Sequence, residues 1–474
     1  MAAARSPSFL MTMLMAAFAG GMGWGIRGQY GHESGAMMAG LLVSLVLVLR
    51  FCPHASSLSA IRAVALMTLG VSLGGSMTYG QTVGLTHDAE LVGNGEALRW
   101  GLLGLFLKGG IWISLAATWF AVGINGKRYR PLECTVLVGV MILLWFLGVY
   151  LWNQPYEPSE RLLPRFYFSD SWVWEPDAEL KPRREIWGGL LTALVGLVAY
   201  LRFGRQDRLA LRLAVWGFLG GGLGFSLGQC WQAYHAWNVE WFANTPSAQP
   251  FHQYVNWWNL METTFGLIFG AVLALGLWLN RHLIEMPTVA EQAALPGPEM
   301  TGAGELALVL VHTSAIVVWN FVSYPAYDVF ADQAVTMILL PVAGVLAGRY
   351  WPYWLTLPIV LIPIAGKTVR ELVYYEAELA HLVGWLAYFA VPVAMALLLA
   401  WQLGRRQPSQ RAAHAAAIIL LFSATTFWFL NFAFFRYPWP WVEWTQRTLH
   451  GLIYTVCWLG LVAESLVVLT RRSE

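Results

Sequence analysis

The chain has 474 residues, of which 57% are hydrophobic and 12% charged, with a mean hydropathy of +0.54 and a formal net charge of +2. An average soluble domain carries roughly 25% charged residues, and too few charges remain here to face water around a core of this size. A secreted disulfide scaffold, a disordered chain and a nucleic-acid-binding domain are thereby excluded, and the expected class is an all-α, polytopic integral membrane helical bundle.

Apolar runs long enough to cross a hydrocarbon layer of ~30 Å recur along the whole chain. Fourteen are expected, at 8–25, 35–52, 60–82, 98–124, 131–152, 185–203, 208–230, 258–280, 303–322, 333–350, 352–367, 379–404, 411–432 and 448–470. The runs are continuous rather than alternating, which selects helices over strands. With the N-terminus inside, the short loops on alternate sides hold Arg50 and Arg62, Arg202 to Arg212, Arg281, Arg349, and Arg405 to Arg411, so that 17 of the 29 Lys and Arg fall inside. The positive-inside rule then places both termini in the cytoplasm. Arg5 ahead of an apolar stretch with small residues imitates a signal peptide, but the first run leads directly into a recurring motif and is read as a retained span. The expected location is the inner (plasma) membrane of a bacterium. A Pro- and Gly-containing linker at 281–302 divides an eight-helix bundle, 1–280, from a six-helix bundle, 303–474.

Spans one and seven share a pattern offset by 200 residues: Phe18-x-Gly20-Gly21 leading to Gly28-Gln29, and Phe218-x-Gly220-Gly221 leading to Gly228-Gln229. Span three ends similarly, with Gly74-Gly75 before Gly80-Gln81, and Trp319-Asn320-Phe321 is echoed by Leu430-Asn431-Phe432. Small residues let membrane helices approach closely; the repetition points to internal duplication, as in many secondary transporters. The first-to-seventh correspondence is similar in architecture to the two halves of the major facilitator superfamily. The segment 51–57 lacks that family's charged loop motif, however, and the linker follows span eight rather than six, so no family is assigned.

Odd-numbered spans reach the outer side with carboxamides: Gln29, Gln81, Gln229, Asn320 and Asn431. Such groups cap stray carbonyls, and if they converge they offer the donors and acceptors that a hydroxyl-rich ligand needs. Trp24, Trp231 and Trp258 lie at the same level and would stack on or gate a flat solute, with Arg27, His32 and His235 nearby. Ionisable groups inside spans are costly and therefore informative; Glu33, Glu262 and Lys108 are the candidates for coupling to protons, and His312 is read as a neutral core histidine. His32 with Glu33, His87 with Asp88, and His235 with Glu240 could instead act as a base beside a polarising partner.

The expected function is a secondary active permease for a small polar organic solute, a saccharide or polyol, with a cup opening outward. A membrane-embedded transferase or hydrolase acting on a periplasmic or lipid-linked substrate is the alternative. No metal or other cofactor is expected, no nucleotide-binding segment is visible, and the partners are the solute and the bilayer.

Overall fold

The computed structural model describes residues 8–28, 30–75, 79–125, 129–168, 182, 184–293, 301–304, 306–307, 310–311, 314, 318, 356–377, 379–405, 411–437 and 439–470. The side chains of His32, Glu33, Gln81, Pro131, Gln292 and Ala293 lie outside that description. The protein is all-helical, and eleven of the described helices are long and apolar enough to cross a membrane. It is an integral membrane protein.

In chain order the helices are α1 (Phe9–Arg27), α2 (His32–Phe51), α3 (Ser57–Gly75), α4 (Gly80–His87), α5 (Gly95–Ile124), α6 (Pro131–Trp152), α7 (Trp187–Ala199) and α8 (Arg208–Trp237). There follow α9 (Val239–Asn244), α10 (Gln249–Tyr254), α11 (Trp257–Asn280), α12 (Val289–Ala293), α13 (Thr356–Val369), α14 (His381–Trp385), α15 (Val391–Arg405), α16 (Ala412–Phe435) and α17 (Thr448–Thr470). Wider π turns extend α7 to Arg205 and join α14 to α15, giving the spans Trp187–Arg205 and His381–Arg405. Of the fourteen expected runs, 303–322 and 333–350 fall largely or wholly outside the described residues, and 352–367 is represented by the fourteen-residue α13. The middle of the expected linker, 294–300, also lies outside them.

Glycine governs how the helices cross. A Cβ on Gly20 of α1 would sit 2.1 Å from the carbonyl oxygen of Gly266 in α11, and one on Gly221 of α8 would sit 2.0 Å from that of Gly109 in α5. Gly224 and Gly228 of α8 likewise lie against Phe265 and Met261 of α11. Despite its glycines, α1 continues to Arg27, because these positions admit neighbouring backbones and side chains: Ala39 at Gly23 and the Tyr454 ring at Gly25. Lacking a hydrophobic drive between helices in lipid, close approach and dispersion hold such a bundle together. Trp24 marks its centre, fully buried and edge-on to Trp112 and Phe265 at 4.8 and 4.9 Å between ring centroids.

These crossings run antiparallel, so α1, α4, α8 and α16 end at the face where α2, α5, α11 and α17 begin; that face is called upper below. The lower face is tied by polar contacts. Buried Asp207 accepts from Asn125 at 2.9 Å and Tyr129 at 2.6 Å while capping Ala210 N at the start of α8, and Arg62 donates to Cys134 Sγ at 2.7 Å. Arg50 of α2 pairs with Glu464 of α17 at that same end.

Replacing Gly20 by Val should reduce thermal stability by about 1–3 kcal/mol or more, through overpacking against the Gly266 backbone. Gly139→Ala on the open side of α6, where nothing lies within 4 Å, should be neutral or stabilising by about 0.5–1 kcal/mol. Melting of the purified full-length variants in one detergent checks the contrast.

Candidate functional site

Two features bring charge to the upper end of the bundle. The last turn of α1 carries Arg27 into the protein, and the second turn of α11 carries Glu262 to meet it; both side chains are almost fully buried, at 4% and 1% exposure, with 3.4 Å between Nη1 and Oε1. The guanidinium carbon also lies 4.6 Å from the ring centroid of Trp24 and 4.9 Å from that of Tyr79. Glu262 accepts in addition from Asn259 Nδ2 at 3.5 Å, and it leaves so little room beside Gly28 that a Cβ there would come within 2.9 Å of Oε2. Trp258, on the same turn of α11, lies 6.2 Å from the His87 ring at the end of α4. His87 Nδ1 is 2.9 Å from Val83 O, and burial raises the neighbouring Asp88 carboxyl while His87 lowers it.

The connection from α1 to α2 turns at Gly31, with φ of +88°, a conformation that L side chains rarely adopt. The space is also taken, since Lys367 Nζ stands 2.5 Å from where a Cβ would be and donates to Tyr30 O at 2.7 Å. The Tyr30 hydroxyl lies 3.1 Å from Thr368 Oγ1 of α13. Burial pushes the Tyr30 phenol up, and Thr368 and Asn431 beside it pull it down. Tyr437, in the connection from α16 to α17, is raised by burial and by its neighbours Tyr454, Tyr30 and Glu262. Tyr454 in turn places its hydroxyl 3.4 Å from Thr263 Oγ1, one residue beyond Glu262.

Within this buried polar group, two side chains are only weakly engaged. Asn431 and His450, both at most 1% exposed, make no well-formed hydrogen bond; Asn431 stands beside the Tyr30 hydroxyl and His450 beside the Asn256 backbone. Trp24 Nε1 is buried and unpartnered as well. A buried polar group left unsatisfied costs about 1–3 kcal/mol; others lie elsewhere in the bundle, Ser57 and Ser72 of α3 and Ser423 of α16 among them, and what sets Asn431 and His450 apart is their place beside the buried Arg27–Glu262 pair, where water or a ligand would satisfy them.

Of the residues singled out from sequence, Arg27, Glu262, Trp24 and Trp258 meet directly, and Asn431 joins them through Tyr30 and Tyr437. Others serve different contacts. Gln229 donates to Thr86 Oγ1 at 2.6 Å, holding α8 to α4. Lys108 is paired with Glu185 at 2.9 Å and also donates to Thr82. Glu185 is fully buried and accepts from Phe168 N at 2.7 Å and from the Trp187 indole. His235 shares a 2.9 Å contact with His252 and stacks on Trp257, away from Arg27, and Trp231 is 49% exposed. Gln29, Asn320 and His312 lie outside the described residues, as do the side chains of His32, Glu33 and Gln81.

No family model and no curated protein matches the chain. Among solved structures, a manganese transporter of Eremococcus coleocola, in complex with an aromatic bis-isothiourea substituted compound, aligns with 97% of this chain and 86% of its own at 15% identity. The TM-score is 0.17, too low for the superposition to carry an argument. Among the described residues no group of three or more His, Cys, Asp or Glu is arranged to hold a metal ion.

Sequence reasoning passed over Tyr30, Tyr437, Tyr454 and His450. Each sits within a few residues of a span end, where tyrosine and histidine are ordinary interfacial residues; only the fold shows that they point into the protein. Glu185 stood at the first position of the expected run 185–203, where a charge reads as interfacial. Breaking its pair by Lys108→Met should cost about 3–5 kcal/mol, because an uncompensated buried carboxylate remains, whereas Lys108→Met with Glu185→Leu should recover most of that loss. Thermal unfolding of the two variants beside the parent measures it.

Proposed function

We propose that the protein is a secondary active transporter of a small polar organic solute, bound beneath the upper face beside Arg27 and Glu262. The observation that carries this reading is the pair of buried side chains Asn431 and His450, neither of which makes a well-formed hydrogen bond, next to a buried ion pair. An amide and an imidazole together offer donors and acceptors to a hydroxyl-bearing ligand, and the Trp24, Trp258 and tyrosine rings supply flat apolar walls. A saccharide-like or polyol-like solute fits that combination. Bundles with polar helix ends meeting at one depth are a common way to build such carriers.

Glu262 is the proposed coupling group, since it is a carboxylate buried in a span beside Arg27, Trp258 and Asn259. Glu33 is proposed beside it from its place after the glycine turn, and Gln29, Gln81 and His32 as further ligand contacts. Lys108 is assigned to the scaffold, as Glu185 satisfies it there. The arginines at the lower ends of α2, α3, α7, α8, α11 and α15 favour a cytoplasmic lower face and an outward-opening site.

Uptake of labelled polyols, sugars and sugar acids into proteoliposomes holding the full chain tests this. Asn431→Leu and His450→Phe should each weaken uptake about tenfold or more, equivalent to one lost ligand hydrogen bond of about 1.4 kcal/mol, without loss of folded protein. Chemical conversion of a substrate at the upper face with no net passage would replace the carrier with the enzyme reading.

A further inference from the structure

The lower ends of α8 and α11 carry cations that the fold does not neutralise. Arg208 and Arg212 stand one turn apart on α8, and Arg281 follows the last residue of α11; all three are exposed. Among the described residues no carboxylate pairs with any of them. Three acids at this end are engaged elsewhere: Glu133 by Arg205 and Tyr200, Asp207 by Asn125 and Tyr129, and Glu464 by Arg50. Arg212 is nevertheless held in place. Its Nη1 donates to Asn280 Oδ1 at 2.7 Å, and that amide is itself fixed by its donation to Gly276 O at 2.7 Å. A guanidinium has five N–H donors, so the bond to Asn280 aims the group and leaves most of its donors for an anion from outside.

Above these arginines the same face of α8 turns apolar. At about 100° of turn per residue, Arg208, Arg212, Val215 and Leu219 fall within about 60° of one another. Leu223 and Leu227 continue the ridge, and the four aliphatic side chains are all exposed. From Val215 to Leu227 the ridge rises about 18 Å, against about 15 Å for the hydrocarbon of one leaflet, half of the ~30 Å core. On the flank toward α11, Trp216 packs at Gly276 and Val272 at Gly220, so the two helices meet closely along this edge. At its foot the Arg281 guanidinium lies 4.4 Å from the Trp278 ring centroid and donates to Trp278 O at 2.6 Å.

We infer that this edge of α8 and α11 binds one anionic phospholipid, with its phosphate on Arg212 and Arg208 and an acyl chain along Val215, Leu219, Leu223 and Leu227. The fork of a guanidinium matches two oxygens of a phosphate, and basic sites between helices at a membrane face hold such headgroups. The ridge selects the occupant. A phospholipid brings an anion and a hydrocarbon chain of leaflet length on one molecule, whereas a free anion, an acidic peptide or a nucleic acid leaves the ridge uncovered. The site is distinct from the one beside Arg27 and Glu262, which lies at the other end of the bundle. Seated there, the lipid spans α8 and α11 through Arg212 and Asn280 and adds to the glycine contacts that join these helices.

The experiment titrates the delipidated full chain, in one non-ionic detergent, with dioleoyl phosphatidylglycerol or dioleoyl phosphatidylcholine. Bound lipid is counted by native mass spectrometry, and thermal unfolding is followed in parallel. One phosphatidylglycerol should stay bound where phosphatidylcholine is lost, and it should raise the melting midpoint. An interfacial arginine strengthens binding of an anionic headgroup about fivefold, so Arg208→Gln with Arg212→Gln should weaken phosphatidylglycerol binding about thirtyfold. Arg405→Gln with Arg411→Gln removes the same charge from exposed positions of the same face, away from α8, and should leave that binding unchanged. Inorganic phosphate and glycerol 3-phosphate, which offer the anion without the chains, should not move the midpoint. The comparison of the two lipids is read on the unaltered protein, so a poorly folded variant does not decide the outcome. Equal retention of both lipids, equal weakening by the two double variants, or stabilisation by phosphate alone overturns the inference.

Discussion

The close approach of backbones at glycine is the constraint on which this architecture rests. Gly20 on Gly266 and Gly221 on Gly109 bring α1 to α11 and α8 to α5 at distances that no larger residue permits. With those crossings set, the ends of α1, α11 and α17 converge, and Arg27, Glu262 and Tyr454 have nowhere to go but inward. The apolar packing below them supplies the low dielectric that makes the Arg27–Glu262 pair more consequential than an ordinary surface pair.

Polar groups in this molecule fall into two kinds. The buried carboxylates Asp207, at the lower face, and Glu185 are satisfied by short bonds within the chain, Asp207 by Asn125, Tyr129 and Ala210 N, and Glu185 by Lys108, Phe168 N and Trp187. Near the upper face, the amide of Asn431 and the imidazole of His450 are buried with no well-formed bond. Completed networks make scaffold, and incomplete ones leave work for something that arrives later.

Most of the fold could be read from the chain, because a continuous apolar run of span length leaves little alternative in lipid. The runs beginning at residues 8, 35, 98, 131, 208, 258, 411 and 448 all correspond to long described helices. The site was legible where a charge interrupts such a run: Arg27 and Glu262 stand out for that reason, and they meet. The amides were harder. Gln229 and Asn431 occupy the same kind of position in sequence, yet Gln229 donates a short bond to Thr86 while Asn431 only stands beside the Tyr30 hydroxyl, a difference decided by neighbours far away along the chain. The glycines of α1 were legible as contact positions but not as to their partners, since a glycine permits close approach without saying which helix makes it.

The Asp207 junction has a mechanical implication. Helices α5 and α8, thirty residues each, are clasped there at one extremity by the bonds from Asn125 and Tyr129. A rod of thirty residues is roughly 45 Å long, and this pair is tied again near its other end, where Ser226 Oγ donates to Leu102 O at 2.9 Å. Held at both extremities and at the Gly109–Gly221 contact between them, α5 and α8 form a stiff double strut against which less tightly bound helices would have to shift.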